Sequence, residues 1–167
     1  MIQENDRVQW LIGNQGAENP YLLWQEMGKW LADHCTIVRY NDKLKLTLDK
    51  YQEWKERYRK VKLSDTGMWT NQNLSFARAT RDMIVLAEAV LTGALLRNES
   101  RGAHYKPEYP ERDDANFLKA TIGRYDAKTQ SPQISYEPVD TSLIAPRART
   151  YGKKPDAKAE KPVAAAT

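Results

Sequence analysis

Apolar residues recur at helical spacing through most of the first 96 positions. Residues three and four positions apart share one side of a helix with 3.6 residues per turn. The longest such stripe consists of Phe76, Ala79, Met83, Leu86, Val90, Ala94 and Leu95. It predicts a central helix that begins at Asn71 or Asn73 and buries this face. Arg97 follows at the negative end of that helix, and Gly102 is expected to supply the left-handed residue that ends it.

Three more helices are predicted before the central one, the first of them a short helix at residues 2–12. The next begins at Asn19-Pro20, because Asn caps free amides and Pro suits the first helical position. Its expected core face is Leu23, Met27, Trp30 and Leu31. After an extended passage at residues 36–40, Asn41 or Asp42 is expected to cap the third. That helix is predicted to turn a charged face to solvent and to bury Leu44, Leu48, Tyr51, Trp54, Tyr58 and Val61.

Long amphipathic helices joined by short polar turns are typical of an antiparallel bundle. We therefore predict a mainly α fold, with a three-helix bundle in residues 1–98 whose aromatic residues form core rather than a cofactor site. Residues 99–151 are predicted to hold a charged docking loop, a short helix capped by Asp113, and a β-hairpin at residues 120–125 and 133–137. Two strands alone are marginal in water, so the hairpin should lie on the bundle or on a missing domain. Residues 152–167 are predicted to be a disordered basic tail.

The loop that follows the central helix is dense in charge of both signs. Its charged residues are Arg97, Arg101, Lys106 and Arg112 against Glu99, Glu108, Glu111, Asp113 and Asp114. Pro107 and Pro110 stiffen it. Planar guanidinium and carboxylate groups at fixed spacing suit pairing with another surface. A solvated charged loop is the alternative interpretation.

Composition excludes several classes of function. The net charge of +4 at pH 7 arises after residue 144, where six Lys and Arg face two acids, while the body of the chain is balanced. A neutral body with a basic tail is not a stripe that follows phosphates, so nucleic-acid binding is not expected. The sequence has no apolar run of about 20 residues and no secretory signal at its start. A single cysteine, Cys35, excludes an internal disulfide, fits a reducing cytoplasm and is expected to be buried.

Candidate catalytic and metal-binding residues are few. The chain has two histidines, His34 and His104, far apart in sequence, so we predict no zinc site. His34 is expected at a helix end. Arg101 and His104 together could hold a dicarboxylate, but contact with a neighbouring domain is the preferred interpretation. A Ser100-His104-Glu99 triad is rejected, because these residues are neighbours on one turn with no motif for an oxyanion hole.

One run of residues resembles a known family. Glu-Ser-Arg-Gly-Ala-His at 99–104, followed by Tyr-x-Pro-x-Tyr-Pro-Glu-Arg-Asp-Asp at 105–114, is similar to the signature of the C-terminal helical domain of succinate dehydrogenase and fumarate reductase flavoprotein subunits. The similarity extends to residues 19–27, 36–44, 69–72 and 146–151, and so covers about residues 2 to 151. It is strongest to the bacterial branch that works with a membrane cytochrome b and menaquinone. Related flavoproteins such as L-aspartate oxidase carry a variant of the motif.

The resemblance implies a division of labour. In such subunits FAD lies in an N-terminal Rossmann-type domain, and His and Arg residues of that domain and its capping domain hold the dicarboxylate. No Gly-x-Gly-x-x-Gly occurs in this sequence, so we expect it to be the last quarter of a larger subunit, without catalytic, cofactor or metal residues and inactive alone. Docking to the flavin and capping domains is expected from Glu99, Arg101, His104, Tyr105, Arg112 and Asp113.

The same resemblance implies the setting in which the subunit works. It would interconvert succinate and fumarate, and pass electrons through FAD to an iron–sulfur subunit and then to quinone, with a membrane cytochrome b subunit as an indirect partner. The expected location is the cytoplasmic face of the inner membrane, as a peripheral protein held by its partners. The alternatives are the C-terminal domain of L-aspartate oxidase or a stand-alone helical module for protein interaction.

Overall fold

The computed structural model describes residues 2–147, in which five helices precede a two-stranded antiparallel sheet. The helices are α1 (Ile2–Gly13), α2 (Pro20–His34), α3 (Asn41–Tyr58), α4 (Gln72–Leu96) and α5 (Asp114–Phe117), and the strands are β1 (Lys119–Asp126) and β2 (Ser131–Pro138). The mainly α prediction, the bundle and the hairpin are confirmed. The predicted tail at 152–167 and the end of the 146–151 motif lie outside the described residues.

Side-chain caps begin three of the helices as the sequence predicts. The Asn19 side chain accepts hydrogen bonds from the backbone amides of Tyr21 and Leu22 at the start of α2. Asn71 accepts from the Leu74 amide at 2.7 Å, and Asp113 accepts from the Asn116 amide at 3.0 Å. Each cap satisfies an amide that the first helical turn leaves without a partner.

The cap of α3 is an exception. The prediction that Asn41 or Asp42 caps this helix is wrong, because α3 already begins at Asn41 and no side chain caps it from Tyr40. The Asn41 amide instead donates to both carboxylate oxygens of Glu108, at 3.1 and 3.0 Å. A residue 67 positions away therefore supplies the acceptor, and it joins the charged loop to the start of the bundle.

The inner face of α3 is the deepest part of the core. Tyr51 and Trp54 are fully buried and are the largest such side chains, and they pack with Leu23 and Met27 of α2. The interpretation as core is confirmed for Tyr51 and Trp54, but it is wrong for Trp24, which is 39% exposed and meets Phe76 edge to face. The opposite face of α3 carries the predicted charges.

The buried face of α4 is rotated from the predicted one. The residues that are buried are Ala77, Thr80, Ile84, Ala87, Leu91, Gly93 and Ala94, along with Asn73. Leu86 and Val90, predicted as core, are 64% and 52% exposed. Five members of the predicted stripe are each displaced by one residue, about 100° around the helix. Small side chains on the true face let neighbouring elements approach closely, and the Thr80 hydroxyl is satisfied by donating to the Phe76 carbonyl.

The hairpin lies along α4 and so rests on the bundle, one of the two expected locations. Its register pairs Lys119 with Pro138 at the open end and Asp126 with Ser131 at the tip. A Cβ on Gly93 would lie 3.4 Å from Thr121, which shows how closely β1 approaches α4. No helix of the described residues is long and apolar enough to cross a membrane.

Candidate functional site

The charged loop, defined here as residues 99–114, is held in a fixed shape by backbone hydrogen bonds. The Tyr105 amide donates to the Ile37 carbonyl at 3.0 Å, and the Arg39 amide donates to the Tyr105 carbonyl at 2.8 Å. The loop is thus paired with the extended passage between α2 and α3. Gly102, with φ +59°, lies in a tight turn between Arg101 and His104. The expectation that Gly102 ends α4 is wrong, because the helix stops at Leu96 and Arg97 is extended.

Glu99 is the centre of this loop and is fully buried. Its carboxylate accepts from Arg97, from Arg101 at 2.9 and 3.0 Å, and from the Asp113 amide at 2.9 Å. Burial raises the pKa of Glu99, but these donors outweigh it and hold the pKa below its usual range. A buried carboxylate with this many donors fixes the segments that supply them.

Two arginines and Asp114 extend this ion-pair network toward the surface. The Arg101 guanidinium donates to Asp114 at 2.6 Å as well as to Glu99, and Arg112 donates to the other oxygen of Asp114 at 2.6 Å. Both guanidinium groups stay partly exposed. The carboxylates of Glu99 and Asp114 therefore fix the orientation of the two guanidinium groups, and one edge of each guanidinium remains accessible to solvent.

His104 is a neutral, structural imidazole. Its Nδ1 lies 2.8 Å from Nη1 of Arg39, which can only donate, so Nδ1 is the acceptor. Its Nε2 lies 3.0 Å from the Arg97 carbonyl and must then carry the proton. Burial is the main reason that the pKa of His104 is lowered, and the nearby cations lower it further. Because both ring nitrogens are engaged, His104 is not available to Ser100 as a base.

Sequence reasoning missed Lys106 as a site residue. The side chain is fully buried, and Nζ donates to the Leu95 carbonyl and to Asn98 Oδ1, both at 3.1 Å. The lysine thereby satisfies a carbonyl at the C-terminus of α4. Burial lowers the pKa of Lys106 to about 8. Nothing in the alternating charges around it distinguishes this lysine from a solvated one.

Aromatic and apolar side chains are exposed where the charged loop pairs with the passage between α2 and α3. Tyr105, Ile37 and Val38 are exposed around their shared backbone pairing, and Tyr40 and Tyr109 are exposed nearby in sequence. We call this set the aromatic patch: Ile37, Val38, Tyr40, Tyr105 and Tyr109. Tyrosine and isoleucine held on a rigid backbone make a surface suited to contact with a protein.

The six predicted docking residues thus divide by position. Glu99 and His104 lie inside and engage partners of this chain, and Asp113 caps α5. Arg101 and Arg112 are oriented with exposed edges, and Tyr105 faces solvent. The described residues contain no group of three or more potential metal ligands.

Comparison with known proteins decides the family. The model of the fumarate reductase flavoprotein C-terminal family matches residues 24–151. The chain belongs to this family. The succinate dehydrogenase flavoprotein subunit of Bacillus subtilis is 45% identical over 156 residues, which are 93% of this chain and 27% of that protein. The fumarate reductase flavoprotein subunit of Haemophilus influenzae is 34% identical over 152 residues, or 91% of this chain and 25% of that protein.

Solved structures agree with this family assignment. An E. coli quinol fumarate reductase chain superposes with a TM-score of 0.82 at 32% identity, covering 90% of this chain and 26% of that one. A Mycobacterium smegmatis Sdh1 chain gives a TM-score of 0.69 at 27% identity over 83% of this chain and 24% of that one. This flavoprotein C-terminal domain therefore spans about a quarter of the length of the relatives that it matches.

Proposed function

We propose that this chain is the C-terminal domain of a subunit that interconverts succinate and fumarate, and that it braces the flavin-binding part of that subunit. The proposal is supported by the names of its relatives, succinate dehydrogenase and fumarate reductase flavoprotein subunits, and by the quarter of each that it matches. The oxidation of succinate and the passage of electrons to an iron–sulfur subunit and to quinone are assigned to the rest of the assembly. A membrane cytochrome b subunit would hold that assembly at the cytoplasmic face of the inner membrane.

The described residues do not fit FAD. A dinucleotide pyrophosphate is bound where a glycine-rich turn joins a parallel strand to a helix N-terminus. The sheet in residues 2–147 is an antiparallel hairpin, and the chain has no Gly-x-Gly-x-x-Gly. In our proposal the flavin therefore belongs to the part of the subunit that precedes this chain, and no chemical step is assigned to the residues of the charged loop.

The aromatic patch is the observation on which the docking role rests. Five large side chains are exposed on two segments that backbone hydrogen bonds join, the charged loop and the passage between α2 and α3. A rigid aromatic surface loses little conformational entropy on association, and Tyr and Arg are enriched among residues that dominate binding energy. We assign direct contact with the flavin-binding part to Tyr105, Arg101 and Arg112. Glu99, His104 and Asp113 hold the shape of the surface.

A charged substitution in the aromatic patch tests this proposal. The variant is Val38→Asp in a complete flavoprotein subunit that carries this chain as its C-terminal quarter. An unpaired carboxylate in a buried interface is costly, so we expect flavin content and succinate-driven dye reduction to fall at least about tenfold. The matched control is Leu22→Asp, which adds the same charge at an exposed leucine of α2.

The isolated chain supplies the second half of the test. Val38→Asp in the 167-residue chain should leave its unfolding midpoint close to wild type, because Val38 is already exposed here. Equal flavin content in the two variants of the complete subunit would reject the patch as a docking surface. A flavin absorption band or succinate oxidation by the 167-residue chain alone would reject the assignment of flavin binding and catalysis to the rest of the subunit.

A further inference from the structure

A second site-like region lies at the other end of α4 from the charged loop. It is a groove of about 570 Å³ between α1, α3, α4 and the tip of the hairpin. Arg78, which lines it, precedes the end of α4 at Leu96 by 18 residues, or about 27 Å of helix. The groove and the charged loop are therefore separate, and an experiment on one does not depend on the other.

The walls of this groove carry an excess of positive charge. Arg7, Lys55, Arg59, Arg78 and Arg81 line it, against the acidic residues Glu4 and Asp82. Glu4 lies between two of the cations, with one oxygen 2.7 Å from Arg78 and the other 3.3 Å from Arg7. The chain thus already places one carboxylate against a pair of guanidinium groups in this groove. Lys55 lies over the Tyr51 ring at 5.4 Å, and no carboxylate of the described residues is paired with it.

The floor of the groove includes a fully buried tyrosine of α3. Tyr51 is fully buried, and its hydroxyl interacts with the Glu88 carboxylate rather than with the open groove. Burial, with a contribution from Glu88, raises the pKa of Tyr51, so the hydroxyl stays protonated and adds no negative charge to the floor of the groove.

Aromatic side chains supply the apolar part of the same groove. Trp10 of α1 is 40% exposed and lies 6.1 Å from the Tyr58 ring, and Tyr125 of β1 is exposed at the other wall. Aromatic side chains of this kind stack on planar ligands. The cations that line the same groove would attract an anionic group carried by such a ligand. A groove of this volume is within the range of small-molecule sites, roughly 300–1,000 Å³.

We propose that this groove binds a small organic anion built on a flat ring. The anionic group would lie against Lys55 and Arg81, and the ring would lie between Trp10 and Tyr125. An aromatic carboxylate and a nucleoside monophosphate share this chemistry. Each has a planar body and an anionic group that accepts several charge-assisted hydrogen bonds.

Titration of the 167-residue chain with benzoate, and separately with AMP, tests the site by NMR. The five tryptophan indole N–H signals are observed, and that of Trp10 is identified with Trp10→Phe. We expect saturable movement of the Trp10 signal with a Kd on the order of 1 mM or below. Movement with benzoate alone identifies carboxylates as the ligand class, and movement with AMP alone identifies phosphates.

Three variants make the result specific to this groove. Lys55→Gln combined with Arg81→Gln should weaken binding at least about tenfold, because two charge-assisted contacts are lost. Glu4→Gln should strengthen it by about threefold, since a competing carboxylate is neutralised. Lys45→Gln removes an exposed cation elsewhere on α3 and should leave the Kd unchanged.

The proposal is overturned if neither probe moves the Trp10 signal saturably. It is equally overturned if Lys45→Gln weakens binding as much as the double variant, which would mean attraction to net charge alone. Loss of binding in the double variant could also result from loss of folding, so Glu4→Gln provides a test that does not depend on that variant. It predicts a gain in affinity, and unchanged or weaker binding in a folded Glu4→Gln chain would also reject the site.

Discussion

Two carboxylates of this chain each lie between two arginines, in opposite regions of the molecule. Glu99 in the charged loop contacts Arg97 and Arg101, and its side chain is 0% exposed. Glu4 at the groove contacts Arg7 and Arg78, and its side chain is 45% exposed. The partners are alike, but the dielectric environment is not. The buried ion pairs of Glu99 therefore stabilise a fixed loop. The exposed ion pairs of Glu4 are weak enough for another anion to replace the carboxylate.

This comparison indicates which charges of the family motif act within the chain. Around Glu99 the acceptors and donors are matched inside one chain, down to the Asp113 amide. Around the groove the cations exceed the acids, and Lys55 is paired with no carboxylate of the described residues. A polar network whose donors and acceptors are all paired within the chain stabilises the fold. A region with unpaired cations can instead bind an anionic ligand.

Removal of the Glu99 carboxylate is expected to have the largest effect. Glu99→Ala leaves two arginine side chains facing a buried void, and breaking a buried ion pair typically costs about 3–5 kcal/mol. We expect the free energy of unfolding in urea to fall by about that amount. Glu99→Gln keeps the shape and should lose less. If Glu99→Ala changes stability by under about 1 kcal/mol, the loop is not held by this carboxylate.

Lys106 provides a pH test of the same region. Burial lowers the pKa of Lys106 from 10.5 to about 8, and a pKa that differs by one between the folded and unfolded chains corresponds to about 1.4 kcal/mol. Below about pH 8 the lysine is charged in both states, and the buried charge disfavours folding. As pH rises from 8 toward 10.5 the unfolded chain holds more protons than the folded one, so this lysine's contribution to stability rises, by up to about 3 kcal/mol.

The measurement is the stability of wild type minus that of Lys106→Met across about pH 7 to 10. Cys35, Tyr51 and Tyr58 have raised pKa values, which lower stability at high pH, but they are common to both proteins and cancel in the difference. The difference should grow with pH. A flat difference would show that Lys106 titrates as a solvated lysine, and its placement beneath α4 would then be wrong.

Gly16 tests whether the groove and the loop are independent. A Cβ on Gly16 would lie 1.8 Å from the Lys60 carbonyl oxygen, which is backbone, so Gly16→Ala forces the link between α1 and α3 apart. Overpacking of this kind typically costs about 1–3 kcal/mol. Gly13→Ala is the control, because nothing lies within 4 Å of its added Cβ.

The readout for Gly16→Ala has two parts. Stability should fall by about 2 kcal/mol, and amide signals of α1 and the hairpin tip should shift. Signals of residues 99–114 should stay in place, since that loop is held at the far end of α4. Movement of the charged loop in this variant would show that the two regions form one cooperative unit.

Much of this architecture can be predicted from the sequence because its signals are local. Asn19-Pro20, Asn71 and Asp113 each cap a helix through amides two or three residues away. The paired strands, too, are separated by a short turn. Local chemistry of this kind is visible without knowledge of the tertiary fold.

The parts that could not be predicted depend on contacts between distant residues. The rotation of α4 is one, because apolar residues occupy both the predicted stripe and the true one, and only packing against small side chains selects between them. The Glu108 cap of Asn41 and the burial of Lys106 are others. In the sequence each is one more charge in a charged loop, and only the fold determines which becomes enclosed.

The smallest expected effect completes the comparison of the two carboxylates. Glu4→Gln removes an ion pair in which every partner is nearly half exposed, and exposed pairs contribute about 0–1 kcal/mol. We expect a loss of under about 0.5 kcal/mol, which shrinks further at high salt because surface charges are screened. The matched measurement is Glu99→Gln in the same urea series, whose loss should exceed that of Glu4→Gln and persist at high salt. If the two substitutions cost the same, burial does not distinguish these sites, and the assignment of one to structure and the other to ligand binding fails.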